Sequence, residues 1–133
     1  MSEQSLVLIK PDAVERHLIG SIIHEYERND LKVDQLKLIQ ADEDLAKAHY
    51  AEHKDKPFFD ELVEFITRSP VVAMVISGEE AISRVRQING ATRPEEAEPN
   101  TIRAVYALSM SENSVHASDS PESAEREISI WFG

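Results

Sequence analysis

The sequence predicts an α/β sandwich, with helices packed over a mixed or antiparallel sheet. Two short continuous apolar runs, Leu6-Val7-Leu8-Ile9 and Val71-Val72-Ala73-Met74-Val75-Ile76, have the pattern of strands buried on both faces. Segments with apolar residues at helical spacing stand between and after these runs. The order reads strand, helix, strand, helices, strand, helix, short strand, helix, which layers helices on a sheet. It is compatible with a βαββαβ core, although periodicity alone does not select that topology over its rivals.

Each element has a local reason. Pro11 pushes Lys10 into extended geometry and opens a short helical turn, so Lys10 is held at the C-terminal end of the first strand. Ile19, Ile22, Ile23 and Tyr26 mark one face of a helix, with Glu25, Glu27 and Arg28 on the outer side. Residues 31–39 alternate, but the phase slips between Leu31/Val33 and Leu36/Leu38, which predicts a strand with a bulge or sharp bend. Asp42 is expected to cap a helix running through His53. Pro57, at a first helical position, is expected to start a second amphipathic helix through Phe58, Phe59, Leu62, Val63 and Ile66, with one of the two phenylalanines in the core. Ser77-Gly78 ends the strand at 71–76. Ala81, Ile82, Val85 and Ile88 form the next helical stripe, closed by Gly90. Residues 91–101 hold Pro94, Pro99 and three glutamates without an apolar period, and are expected to form a long loop. Val115 lies on a short last strand, and Ala124, Ile128, Trp131 and Phe132 give the last helix its core face.

The chain has 133 residues, which predicts a single domain over 1–133 with a real core. Its net charge of −11 argues against nucleic acid or an anionic membrane as the main partner. Any anionic ligand then needs a few cations focused in one cleft. The absence of cysteine excludes thiolate chemistry and fits a reducing compartment. Neither an apolar run of membrane-spanning length nor a signal peptide is visible, so a soluble, cytoplasmic protein is expected.

The most informative stretch is Asn113-Ser114-Val115-His116-Ala117-Ser118-Asp119-Ser120, which runs into Pro121-Glu122-Ser123-Ala124-Glu125-Arg126-Glu127. Ser120 is a good N-cap, Pro121 suits the first helical position, and Glu122 suits the helix dipole. His116 thus stands at a strand-to-helix corner, beside backbone N–H groups suited to an anion. Its neutral imidazole is a nucleophile near pH 7 without further activation. Glu127 falls at the edge of the stripe formed by Ala124, Ile128 and Trp131. A carboxylate there can orient the imidazole, directly or through Ser118. His49 and His53 share i,i+4 spacing, but no third ligand is evident, so a solvated helix face, or His53 lending a donor near the phosphates, is expected rather than a metal site.

The octet resembles the active-site signature of nucleoside diphosphate kinases. Further matches follow in the same order from Leu6 to Phe132. They are Leu8-Ile9-Lys10-Pro11-Asp12-Ala13-Val14, His49-Tyr50-Ala51-Glu52-His53, Lys56-Pro57-Phe58-Phe59, Gly90-Ala91-Thr92, Thr101-Ile102-Arg103 and Ser123-Ala124-Glu125-Arg126-Glu127-Ile128. The resemblance implies a ferredoxin-like βαββαβ core with a mainly antiparallel four-stranded sheet. It also implies ping-pong transfer of the γ-phosphoryl group of an NTP to an NDP through phosphorylated His116. By the same resemblance Glu127, Ser118 and Tyr50 support the histidine, and Lys10, Arg86, Thr92 and Arg103 meet the phosphates. Asn113 meets the ribose and Phe58 stacks on the base. Arg84 is the rival of Arg86, which better keeps the spacing to Gly90. Mg²⁺ is expected to arrive on the nucleotide phosphates, and no protein metal ligands are expected. A homo-oligomer (hexamer, tetramer or dimer) is implied. The sequence ends at Gly133, where family members commonly continue into a tail that touches neighbouring subunits, so the oligomer size stays open. The alternatives are a non-catalytic nucleotide-binding module and a protein-histidine phosphocarrier.

Four positions depart from the family pattern: Ala117 and Asn100 for glycine, Arg93 for asparagine, and Val105 for aspartate. A tolerated backbone is expected at Ala117, and a left-handed corner suits Asn100.

Overall fold

The computed structural model describes residues 2–109 and 112–133. The two apolar runs become the central strands β1 (Ser2–Ile9) and β3 (Val71–Glu79), paired antiparallel from Ser2↔Glu79 to Ile9↔Val72. Both strands are longer than their apolar runs, because the backbone ladder continues through polar residues once the buried halves fix the register. β2 (Lys32–Ile39) pairs with β3, and the register shifts between Val33 and Gln35 where the phase slip predicted a bulge. β4 (Val115–Ala117) pairs with the end of β1 and sets His116 opposite Leu8. The sheet order is β2-β3-β1-β4 with every pair antiparallel, the ferredoxin-like arrangement.

Alternate residues of the sheet feed two cores. On one face, Val7, Ile9, Met74 and Ile76 pack under α1 (Pro11–Glu15), α2 (Ile19–Glu27), α5 (Ala81–Asn89) and α6 (Ile102–Tyr106). On the other, Leu6, Leu8, Val71 and Ala73 pack under α3 (Glu43–His49), α4 (Phe59–Thr67) and α7 (Pro121–Phe132).

Two helix boundaries and one further helix differ from expectation. The helix capped by Asp42 stops at His49, and Ala51–His53 form a separate 3₁₀ turn, consistent with the thin apolar stripe of that segment. Pro57 lies outside the next helix, because successive turns from His53 to Lys56 and from Lys56 to Phe59 precede it, leaving Phe58 at the N-cap. Helix α6 was not anticipated. It is five residues long, too short to show a period, and its only signal is Thr101, whose hydroxyl accepts from the Ala104 N–H. Within the long loop, Pro94–Glu96 form a 3₁₀ turn.

Gly90 is required where it stands. Its φ of +89° is left-handed, and a Cβ there would collide with the Thr101 hydroxyl and lie 2.8 Å from the Thr101 Cβ. That close approach seats the loop 91–101 against the start of α6.

Candidate active site

The ends of β1 and β4, the first turns of α7 and the segment after α3 surround a cleft of about 260 Å³. Antiparallel pairing of β1 with β4 brings residues about a hundred positions apart together at its floor. Lys10 donates from Nζ to Asn113 Oδ1 at 3.0 Å, and Asn113 Nδ2 donates to the Thr92 carbonyl at 3.4 Å. Burial of the Lys10 ammonium, with the Arg103 guanidinium beside it, brings its pKa down to about 8.

His116 sits on β4 with its ring fixed from α7. Its Nε2 lies 3.0 Å from Glu127 Oε1, and the same oxygen accepts from the Ser118 hydroxyl at 2.8 Å. Ser118 is fixed in turn, since its Oγ accepts from the Leu6 N–H at 3.1 Å. A carboxylate oxygen only accepts, so Nε2 carries the ring proton and the lone pair is left on Nδ1. The helix that delivers Glu127 is capped as expected: Ser120 Oγ accepts from the Ser123 N–H at 3.1 Å, with Pro121 at the first position.

Tyr50 is buried and lines the cleft, and burial together with the Glu127 charge pushes its pKa up to about 12. It therefore remains a protonated donor at neutral pH. Arg103 is anchored by donation from Nη1 to the Gly90 carbonyl at 2.7 Å and from Nη2 to the Val115 carbonyl at 2.8 Å. Among the described residues its Nε is buried without a hydrogen-bond partner, while the guanidinium itself lines the cleft. Arg86 lines the cleft, whereas Arg84 is fastened away from it, to the carbonyls of Glu79 and Asn29. Thr92 lines the cleft from an exposed loop position. Phe58 does not reach the cleft floor; it is 42% exposed at the rim, its ring centroid 5.7 Å from that of His53. Its neighbour Phe59 packs in the core.

The family model for nucleoside diphosphate kinase matches residues 3–133. The chain belongs to the nucleoside diphosphate kinase family. A nucleoside diphosphate kinase of Clostridium perfringens is 58% identical over 98% of this chain and 91% of its own length. One of Corynebacterium diphtheriae is 59% identical over 99% of this chain and 98% of its own. Among solved structures, the Aquifex aeolicus nucleoside diphosphate kinase superposes with a TM-score of 0.97 at 43% identity, covering 100% of this chain and 96% of that one. The kinase is thus a phosphotransferase that moves the γ-phosphoryl group of an NTP to an NDP, by the phosphohistidine ping-pong route general to the family.

Two of the four departures from the family pattern are accommodated by the backbone. Ala117 lies in β4 with ordinary strand geometry, so a side chain there is accommodated. Asn100 has φ +70°, the left-handed corner expected of it. Val105 projects from α6 and is 58% exposed, and Arg93 is an exposed extended residue. Nothing in the structure explains why aspartate or asparagine is replaced at these last two positions.

Sequence reasoning missed the role of His49. It is no solvated helix face but is buried, and its Nδ1 accepts from the Trp131 indole N–H at 3.1 Å. Its ring meets the His116 ring edge-on, with centroids 4.6 Å apart, and burial holds it neutral. His49, His116 and Glu127 bring ligand-type atoms within 4.8 Å of one another. Hydrogen bonds already engage each of them, to Trp131 in one case and to each other in the rest. Glu52 and Arg126 were also missed; they line the cleft and pair at 2.9 Å. No sequence signal would have found either pair, because each joins residues more than seventy positions apart.

Proposed function

We propose that His116 carries the phosphoryl group, on Nδ1. The observation that supports this best is the engagement of Nε2 by Glu127. It fixes the tautomer, aims the ring, and keeps the Nε2 proton stabilised when the imidazole gains positive character. In the first half-reaction the Nδ1 lone pair forms the N–P bond while the bond from γ-phosphorus to the bridging oxygen breaks, and the NDP leaves with that electron pair. In the second, a β-phosphate oxygen of the acceptor NDP attacks phosphorus and the N–P electron pair returns to Nδ1. Transfer of this kind depends on positioning and on stabilising equatorial charge. Lys10, Arg86, Arg103 and Thr92 serve the phosphates, Tyr50 donates beside the reacting nitrogen, Asn113 meets the ribose, and Phe58 offers a stacking face for any base.

Mg²⁺ fits as a companion of the nucleotide. Among the described residues the one group of ligand type contains Glu127, which already accepts from Ser118 and His116, and no carboxylate cage stands beside it. The ion would be held by phosphate oxygens and water, and would neutralise phosphate charge. Among the described residues no helix is long and apolar enough to cross a membrane. That and the cysteine-free sequence support a cytoplasmic setting.

A homo-oligomer is supported by β2, which is an edge strand among the described residues. Leu36 and Leu38 are 54% and 63% exposed there, opposite Met74 and Val72 of one core face. Exposed leucines on an unpaired edge strand favour burial against a second copy.

Glu127→Gln tests the reading. The substitution keeps the shape of the side chain but removes its charge, so the rate of His116 phosphorylation falls by about 10–1,000-fold while the KM for ATP changes by less than about threefold. An unchanged rate would remove Glu127 from the mechanism.

A further inference from the structure

Asp12 is a buried carboxylate, 1% exposed, to which phosphoryl transfer assigns no task. It touches the most unusual backbone in the site. Ser114 is fully buried with φ +74°, and the Val115 N–H donates to the Asn113 carbonyl at 2.9 Å across it. That is a γ-turn centred on a non-glycine residue in a left-handed conformation, a rare and strained form. It stands two residues before His116.

The segment 10–12 grips this turn from both ends. Asp12 Oδ2 accepts from the Ser114 N–H at 3.1 Å and from the Ser114 hydroxyl at 3.4 Å. The Lys10 N–H donates to the Ser114 carbonyl at 2.8 Å, and Lys10 Nζ reaches the neighbouring Asn113. A relaxed chain would leave the left-handed region at Ser114 and turn the start of β4, carrying His116 with it.

We propose that Asp12 is a positioning residue for phosphoryl transfer: by accepting both donors of Ser114 it holds the strained γ-turn that aims His116 into the cleft. The proposal rests on the reading of His116 given above. Asp12 does not line the cleft that holds His116. It acts through backbone geometry, and the requirement is for an acceptor at Oδ2 rather than for a charge in the cleft.

The test compares Asp12→Ala, Asp12→Asn, Ser114→Gly and the double variant Asp12→Ala/Ser114→Gly. For each, the single-turnover rate of His116 phosphorylation from Mg²⁺-ATP, the equilibrium affinity for ADP and the thermal midpoint are measured. Asp12→Ala is expected to slow phosphorylation by about 10–100-fold, with ADP affinity within about fivefold. Asp12→Asn keeps an oxygen for the Ser114 N–H and stays within about fivefold of the unsubstituted rate. Glycine enters the left-handed region freely, so Ser114→Gly in the Asp12→Ala background restores about tenfold of the lost rate. Asp12→Leu fills the volume that alanine empties and replaces it in the comparison should the alanine variant not fold. A purely structural Asp12 lowers the midpoint, leaves the phosphorylation rate unchanged well below it, and gains nothing from glycine; that result overturns the proposal. Equal damage from asparagine and alanine would also overturn it. Absence of phosphate on His116 in the unsubstituted enzyme defeats the reading of the site and the proposal with it. Normal labelling with an unaffected Asp12→Ala defeats the proposal alone.

Discussion

At the scale of single residues, the site works by removing choices from its side chains. His116 has two ring nitrogens, and Glu127 claims one. Arg103 is pinned by two carbonyls and Ser118 by the backbone of β1. Lys10 has the most consequential environment, because burial and Arg103 lower its pKa from an ordinary 10.5 to about 8. Its charge is present below that value and is lost as pH rises through it, so kcat/KM for NTP should decline above about pH 8. Unfolding does not explain such a decline. Between about pH 8 and 10.5 the unfolded chain holds more protons at this lysine than the folded one, so this group makes stability rise with pH. Lys10→Gln should therefore lower kcat/KM near neutrality and flatten the alkaline limb of its pH profile. A limb that persists in that variant would assign it to another group.

At the scale of elements, the strands and long helices were legible because their signals are local. Four apolar residues in a row, a phase slip, a serine before a proline or a glycine after an apolar stripe each act within a few residues. What was not legible is what long-range pairing creates. The contact of Asp12 with Ser114 exists only once β1 is laid beside β4, and His49 reads as exposed until Trp131 arrives from the far end of the chain. Pro57 misled because proline suits a turn as well as a first helical position. Gly90 shows how one element boundary serves the site: it ends α5, admits Thr101, and offers its carbonyl to Arg103. Gly90→Ala places a Cβ in the left-handed region against Thr101. It should cost about 1–3 kcal/mol of stability and raise the KM for nucleotide, read by thermal denaturation and steady-state kinetics. A variant with unchanged midpoint and KM would show that the loop 91–101 adapts.

At the scale of the whole molecule, an acidic protein has to bind a polyanion. The net charge of −11 is spread over the surface, whereas the cleft gathers Lys10, Arg86, Arg103 and Arg126. Of the three carboxylates that line it, Glu127 is committed to His116, Glu52 to Arg126 and Asp119 to Ser123, which leaves the cations of the cleft to oppose the global field. The same surface leaves Leu36 and Leu38 uncovered on the edge of the sheet. Leu36→Glu with Leu38→Lys should shift the enzyme to smaller species in sedimentation velocity while leaving the fold intact; an unchanged sedimentation coefficient would place the subunit contact elsewhere.

The central claim is that His116 carries the phosphoryl group between two nucleotides. It is tested most directly by incubating the purified enzyme with Mg²⁺ and ATP labelled in the γ-phosphate, with no acceptor, and then adding unlabelled GDP. The expected result is label on the protein that is acid-labile and alkali-stable, absent from His116→Ala, and released as labelled GTP on addition of GDP. Label that forms on His116→Ala, or that GDP fails to discharge, would contradict it.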